Sequence, residues 1–373
     1  MEKIVALEKC FSYDEVKVYN SIKKLLELAP PPSVQGKKIL IKPNILSPKK
    51  PEAAICTHPV VVGATVKCFL ELGASQVLVG ESPATAASSF AATTTGMYEQ
   101  VVKNGGKWVD FTSEIDVTAT NTKLTHNFQF ASIFAEVDIL VSVAKLKSHQ
   151  LMSYTGAMKN LFGLVIGLKK AQMHYRFPNK QDFATYLTDL NIAAKAEYAI
   201  MDAIDGPGGP GNGNPIDMNF LASSTNILAL DCICSKAAGY TPTEIPNLKD
   251  ALERNYWLSN ENEIQLVGCT FQDIFCPNFI AVHQNTAALT LGKMLPPFVD
   301  YFAKLIFEKN PHFSKNKCIK CGKCIEICPP QILSFAKNKE GNKSHIQIQR
   351  NKCLRCYCCH EICPVEAITL RHF

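Results

Sequence analysis

Glu136-Val137-Asp138-Ile139-Leu140-Val141-Ser142-Val143 is the stretch that decides the fold, and it runs on through Ala144 into Lys145-Leu146-Lys147-Ser148-His149. A near-continuous apolar run of this length is the pattern of a central parallel strand covered on both faces, whereas a half-solvated strand would alternate. What the strand delivers is polar. A cluster of basic residues directly after the most buried strand is hard to account for by solubility alone.

The same order, apolar strand and then polar residues, repeats on either side. Upstream, Lys3 to Lys9 reads as a strand and Ser12 to Leu28 as a helix, with Ser12 as N-cap ahead of Glu15 and Pro30-Pro31-Pro32 as its end. Lys38 to Ile41 is a β-rich run that stops at Lys42-Pro43-Asn44, because Pro43 cannot donate to a ladder and restricts the residue before it. Thr57-His58-Pro59 opens an apolar helix reaching Leu72, with Thr57 as cap and Gly73 as the closing residue. Gln76 to Val79 is the next strand, finishing at Gly80-Glu81-Ser82-Pro83, and a short helix ending at Asn104 leads to a strand over Lys107 to Phe111. Downstream, Asp182 to Ala196 reads as an amphipathic helix, Tyr198 to Met201 as a strand ending in Asp202 and Asp205, and Gly206 to Pro215 as a Gly- and Pro-rich loop. Asn226 to Leu230 reads as a strand ending at Asp231, Pro242 to Asn260 as a connecting helix, Ile264 to Val267 as a last strand, and Phe298 to Phe307 as an apolar helix packed between domains. This alternation predicts an α/β domain with a mostly parallel sheet over residues 1–311, a length that admits two lobes.

In an open parallel sheet the carboxyl ends of the strands share one edge, where the ligand crevice normally lies. Lys42 and Asn44, Glu81 and Ser82, Lys145, Lys147 and His149, and Asp202 with Asp205 all fall there, and Lys159-Asn160 stands in a glycine-flanked apolar segment nearby. Lysines at such an edge suit an anion, and a histidine with two carboxylates suits proton handling or a metal. Lys147, His149, Asp202 and Asp205 are therefore the candidate catalytic residues, with Lys42, Asn44, Glu81, Ser82, Lys145, Lys159 and Asn160 as candidate binding residues. Singly, each has a plainer reading: Lys42 as a solvated strand end, Asp205-Gly206 as a turn, His58 as a packed residue at a helix start, and Lys170 with His174 as one exposed helix turn.

The end of the chain carries a different chemistry. Cys318, Cys321, Cys324 and Cys328-Pro329 are followed by Cys353, Cys356, Cys359 and Cys363-Pro364, so each half reads C-x-x-C-x-x-C-x-x-x-C-P. This run holds paired cubane clusters: Cys318, Cys321, Cys324 and Cys363 would bind one [4Fe-4S] cluster, and Cys353, Cys356, Cys359 and Cys328 the other. A zinc ribbon uses separated pairs rather than triplets, and a disulfide framework needs an oxidising compartment. Cys358, between Cys356 and Cys359, competes for the same role on spacing alone. A hairpin around Lys339-Glu340-Gly341-Asn342 and the similar segments after Pro329 and Pro364 mark residues 312–373 as a small, internally repeated α+β module of ferredoxin type.

Composition bounds the rest. A hydrophobic content of 47% and a charged content of 19% are those of a globular protein. No apolar run is long enough for a membrane span, and the N-terminus lacks the basic and apolar regions of a signal peptide. With sixteen cysteines, a reducing cytoplasm is the expected setting. The net charge of +6 belongs to the segment from Ser314 onward, where lysines offset cluster charge, so a nucleic-acid partner is not expected. There is no G-x-G-x-x-G after a strand and no P-loop; a flavin held without such a fingerprint stays open.

Taken together, Lys42-Pro43-Asn44, Thr57-His58-Pro59, Gly80-Glu81-Ser82-Pro83, Lys145 to His149, Lys159-Asn160-Leu161-Phe162-Gly163 and Asp202 with the 206–211 glycine loop resemble the DUF362 family, here joined to a two-cluster ferredoxin module. The resemblance covers most of residues 35 to 250 and implies an α/β domain of a kind often found with [4Fe-4S] modules. Ser148 stands where members commonly have Thr, which keeps the hydroxyl. The expected function is electron transfer from a partner protein through two clusters toward an anionic molecule or cofactor in the α/β domain. Two alternatives remain: an electron carrier whose α/β domain only docks a partner, and clusters that are structural or sense oxygen.

Overall fold

A computed structural model describes residues 3–209, 214–283, 309–337 and 343–371. By internal packing the chain divides into two units, Met1–Lys170 with Asn179–Val282, and Ala171–Pro178 with His283–Phe373.

The first unit is built on an eight-stranded sheet. Its elements are β1 (Ile4–Lys9), α1 (Glu15–Leu28), β2 (Lys38–Pro43), α2 (Pro59–Glu71), β3 (Gln76–Glu81), α3 (Ser88–Thr94), α4 (Met97–Lys103), β4 (Lys107–Asp110), a hairpin of β5 (Glu114–Thr118) and β6 (Asn127–Ala131), and β7 (Ile139–Lys145). A short ribbon of β8 (Lys147–His149) and β9 (Ser153–Thr155) follows, then α5 (Ala157–Asn160), α6 (Lys169–Arg176), whose residues from Ala171 onward belong to the second unit, α7 (Lys180–Ala194), β10 (Tyr198–Pro207), β11 (Pro215–Ser224), α8 (Ile227–Ala237), α9 (Pro246–Glu253), β12 (Gln265–Gly268) and α10 (Phe271–Ile274). The sheet order is β12-β1-β11-β10-β7-β2-β3-β4. β11 pairs antiparallel with both its neighbours and the other pairs are parallel. All seven residues of β7 are buried, as its unbroken apolar run requires. From β2 the chain winds one way through β3 to β4, then returns to lay β7 on the other side of β2. The β2–β7 boundary is thus a topological switch point, where the ligand crevice of such sheets normally lies.

Several elements differ from the sequence reading. Residues 226–230 begin the helix α8 rather than a strand: Asn226 caps it by accepting from the Ala229 amide at 3.1 Å. Nearly every face of α8 is buried, so its apolar run has no helical period to betray it. The strand beginning at Tyr198 does not stop at Met201 but continues to Pro207 and pairs with β11, with a register shift between Ala203 and Asp205. The two ends of the expected glycine loop, Gly206-Pro207 and Pro215, are therefore strand, and its residues 210–213 lie outside those described. The span Pro242 to Asn260 holds a short 3-10 turn and α9 rather than one helix. Asp14, not Ser12, caps α1 by accepting from the Lys17 amide, and His58, not Thr57, caps α2 through its ring nitrogen. Thr57 is drawn away because its hydroxyl bridges the Asn44 amide and the Val143 carbonyl, each at 2.8 Å. The expected helix over 298–307 and the turn over 339–342 lie outside the described residues.

In the second unit, β13 (Asn310–Phe313) pairs with β16 (Ile368–Arg371), and β14 (Leu333–Lys337) with β15 (Lys343–Ile348), both antiparallel. Its apolar cluster is small, with Cys328, Ile332, Leu333 and Ile346 buried at the centre and Cys318, Cys324, Cys353 and Cys359 packed against them.

Candidate functional site

At the carboxyl edge of the sheet β2, β3, β7 and β10 carry buried charged residues at or near their ends. Lys42, the penultimate residue of β2, is 1% exposed and gives its ammonium to the Glu81 carboxylate at the end of β3, to the Pro43 carbonyl at 2.7 Å and to Asn160 Oδ1 at 3.1 Å. Asn160 in turn donates to the Lys42 carbonyl and to Ser142 Oγ, which ties α5 across β2 and β7. Gly163 is required here, since a Cβ would run into Lys42 Cε and Glu81 Oε1. Burial lowers the Lys42 pKa and Glu81 holds it up.

A second pair lies at the ends of β7 and β10. Lys145 is fully buried, with its ammonium 2.5 Å from Asp205 Oδ1, 3.2 Å from Asp202 Oδ2 and 2.7 Å from the Tyr13 hydroxyl. Tyr13 also donates toward Asp202 and Asp205 at 2.9 and 2.6 Å and stacks on His58 at 3.6 Å between ring centroids. Asp202 accepts the His58 amide at 2.8 Å. Burial raises the Asp202 pKa against the pull of Lys145, and raises that of Tyr13, with the two carboxylates adding to the effect. His58 is held down at about 4 by burial and by Lys145. Two carboxylates facing one ammonium leave this group with an excess acidic site, and Asp205, Tyr13 and His58 are its half-buried members.

Lys147 is buried, donating to Asn44 Oδ1 and the Ile55 carbonyl, each at 2.8 Å. His149 Nδ1 accepts the Leu151 and Met152 amides at 3.1 Å, which places the proton of its neutral ring on Nε2. Ser82 accepts the Gly167 amide and, through its carbonyl, the Lys170 ammonium, whose pKa burial lowers to about 8. Lys159 is half-buried on α5. Asp231 does not end a strand; it sits on α8 and caps α5 by accepting the Ala157 and Met158 amides at 2.7 and 2.9 Å. Tyr13 is the member that sequence reasoning missed. The one signal it carries is its position just after β1, a strand whose carboxyl end shares the same edge.

In the cysteine unit, one cavity is lined by Cys318, Cys321, Cys324 and Cys363, with Phe313, Ile346 and Ile368 as apolar walls. Cys328 is absent from that lining and Cys363 is present, as the crossed pattern requires. The Cys324 thiol is pushed up to about 11 by burial and by the Cys318, Cys321 and Cys363 thiols beside it. Cys328 has Cys356 and Cys353 as thiol neighbours, and Cys359 has Cys356, Cys353 and Cys328 nearest among its several. Among the described residues, no three His, Cys, Asp or Glu side chains converge closely enough to share one metal ion. The cavity gathers four thiols within apolar walls, a donor set that suits the thiolate ligation of an iron–sulfur cluster. All sixteen cysteines are free thiols.

A doubly wound α/β domain followed by two C-x-x-C-x-x-C-x-x-x-C-P runs defines an iron–sulfur protein with a large α/β domain joined to its cysteine module. The chain belongs to the DUF362 family, described as a domain of unknown function, whose family model matches residues 39–236. Residues 317–367 match the 4Fe-4S dicluster domain, so the C-terminal module is a [4Fe-4S] ferredoxin-type domain. A thylakoid-associated protein of Synechocystis sp. is 26% identical over 306 residues, covering 74% of this chain and 90% of that protein. Among solved structures, the lactate racemase apoprotein of Thermoanaerobacterium thermosaccharolyticum is similar at 13% identity and a TM-score of 0.42, over 64% of this chain and 57% of that one. A Thermotoga maritima protein is similar at 10% identity and a TM-score of 0.36, over 52% and 51%. No helix among the described residues is long and apolar enough to cross a membrane.

Proposed function

We propose that this protein is a redox enzyme or reductase component, in which the dicluster domain, taken from residue 312, exchanges electrons with a partner protein and the crevice between β2 and β7 holds the molecule that is reduced or oxidised. The observation that carries this reading is the buried Lys145, set between Asp202 and Asp205 under the Tyr13 hydroxyl. Buried ion pairs are often no more stabilising than apolar packing of the same volume. A fully buried one at the ligand edge of a parallel sheet therefore supports a chemical role. When bound, the clusters supply one-electron transfer. Asp205 and Tyr13, on the half-buried side, hold or release the accompanying proton, while Lys145 and Asp202 fix the charge beneath them. Lys147, His149 and Lys159 recognise the anionic group of the ligand, a flavin phosphate included. Lys42, Asn44, Glu81, Ser82 and Asn160 form the frame.

The test is anaerobic purification of the full chain followed by mass spectrometry of released small molecules, with Lys147→Ala and His149→Ala beside the native protein. A retained molecule that disappears in both variants is expected. Unchanged retention removes these residues from ligand binding.

One observation favours a second reading. Lys42 is neutralised by Glu81, and Lys145 by Asp202 and Asp205, so the crevice offers an incoming anion less positive charge than its lysines suggest. In that reading the α/β domain docks a partner protein and the clusters act as a carrier. Clusters reduced in advance would then be reoxidised by the partner and by no small molecule.

A further inference from the structure

The two cysteine runs share a backbone and differ in the side chains it carries. Lys320 and Arg355 both take a left-handed φ, 59° and 55°, and so do Gly322 and Tyr357, at 82° and 62°. Cys318-Ile319-Lys320-Cys321-Gly322-Lys323-Cys324 thus corresponds position by position to Cys353-Leu354-Arg355-Cys356-Tyr357-Cys358-Cys359. In the second run Arg355 and Tyr357 are buried, and the Tyr357 hydroxyl donates to the Lys309 carbonyl at 3.0 Å. A bulky residue on left-handed backbone is held there against its preference. The same places in the first run hold an exposed Lys320 and a Gly322 without a side chain.

The second loop is therefore closed and the first is open. Of the eight ligand cysteines, Cys321 is the exposed one. The cavity it shares with Cys318, Cys324 and Cys363 is edged by Lys323, by Ile319, which is 61% exposed, and by Val365, which is 36% exposed. Residues 314–325 carry Lys315, Lys317, Lys320 and Lys323 and no acidic residue. None of the four lysines forms an ion pair among the described residues. An oxidised cluster with its four thiolates brings a charge of about −2, so the rim stays positive. An apolar centre inside a charged rim is the make-up of a small electron-transfer interface, and the sign of the rim selects the partner.

We infer that the cluster held by Cys318, Cys321, Cys324 and Cys363 is the one that meets the redox partner, and that the partner is a protein with an acidic face that docks on Ile319 and Val365 within the lysine rim. The inference rests on the electron-exchange reading above. Each encounter moves one electron, the cluster being oxidised as the partner's one-electron centre is reduced, or the reverse.

The test uses the full, cluster-loaded chain, reduced with dithionite under anaerobic conditions and freed of reductant. It is mixed in stopped flow with oxidised rubredoxin, a small acidic iron protein, or with oxidised cytochrome c, a basic haem protein. The rate of rubredoxin reduction should fall about tenfold as ionic strength rises from about 0.01 M to about 0.5 M, and that of cytochrome c should not fall. Lys317→Glu/Lys320→Glu should slow rubredoxin about tenfold at low salt. Arg350→Glu/Lys352→Glu, with the same change of net charge beside the second run, should change it less than about twofold. All four residues are exposed, and bound iron checks that the clusters are intact. Calorimetry with both proteins oxidised should show rubredoxin binding at low salt that Lys317→Glu/Lys320→Glu loses.

Rubredoxin reduction that ignores both salt and Lys317→Glu/Lys320→Glu, or that the two variants slow equally, overturns the docking assignment and leaves electron exchange standing. Binding of the chain to anionic phospholipid vesicles that Lys317→Glu/Lys320→Glu abolishes, with the rubredoxin rate unchanged, gives the rim to a membrane surface instead. Clusters that pass an electron to neither protein overturn electron exchange itself, and this inference with it.

Discussion

In the β2–β7 crevice the buried charges meet their opposites, whereas in the cysteine unit buried thiols meet one another. Lys42 has Glu81 and Lys145 has Asp202 and Asp205. Cys324 has Cys318, Cys321 and Cys363, and the effect of those neighbours is to raise its pKa. The first arrangement is complete as a folded chain. The second lacks its complementary charge until iron arrives, and the apolar cluster around Cys328, Ile332, Leu333 and Ile346 is small for independent stability. One unit can therefore stand without its ligand, and the other depends on its cofactor.

Stripping the iron is the harshest test of that contrast. Chelation of the full chain under anaerobic conditions should unfold the segment from residue 312 while the α/β unit keeps its structure. Hydrogen exchange reads this directly: protection should vanish from β14 and β15 and persist in β7 and β10. Iron-free protein that keeps β14–β15 protected would break the comparison.

Next in size is the removal of one partner from a self-completed pair. Lys145→Met leaves Asp202 and Asp205 facing each other in a buried site and should cost about 3–5 kcal/mol in denaturant unfolding of the α/β unit. Lys147→Met removes hydrogen bonds to Asn44 Oδ1 and to the Ile55 carbonyl and should cost about 1–2 kcal/mol. Equal costs would mean that charge pairing is not what distinguishes the crevice.

How far the crevice could be read in advance follows from the same physics. β7 was legible because seven successive buried positions leave an unbroken apolar run, and Lys42, Glu81 and Lys145 were legible because each sits at the end of a strand. Their pairing was not, since it links residues 39 and 57 positions apart through a register that only the folded sheet sets. Tyr13 was invisible for that reason, reaching Asp205 from 192 positions away. β11 follows directly on the Gly- and Pro-rich segment and shares only Pro215 with it, and α8 hid because burial on nearly all sides erases the helical period. The cysteine unit was the reverse: its ligand spacing is local and could be read from the string, and so could the hairpin whose strands pair as β14 and β15.

His58 gives a smaller, pH-dependent handle. Its folded pKa of about 4 lies below the ordinary histidine value of 6.5, so the unfolded chain takes up a proton that the folded chain refuses. Stability is then full above pH 6.5 and falls as pH drops toward 4. The loss should be about 1–2 kcal/mol, short of the ~3 that the shift alone implies, because the ring is partly solvated. His58→Asn keeps a helix-capping acceptor and should flatten this part of the profile, measured as its stability difference from the native protein at pH 7.5 and 4.5. A difference that does not vary with pH would show that His58 is not the crevice's proton-sensitive member.

The smallest expected effect is none at all, and it falls on the ambiguous cysteine. Cys358 opens the short helix Cys358–Glu361, and its thiol points back to the Cys356 carbonyl at 4.0 Å. Cys359, one position on, packs on the cluster-side apolar core with Cys318, Cys324 and Cys353, where Cys358 does not. A helix turns successive side chains about 100° apart, so the two thiols cannot both face the same volume without distorting that turn. Cys359→Ser should therefore lower bound iron from about eight to about four atoms per chain, and Cys358→Ser should leave about eight. If Cys358→Ser also loses iron, a thiol that the fold engages within its own chain is a ligand after all, and the line between the self-partnered region and the cofactor-dependent one would have to be redrawn inside the cysteine unit.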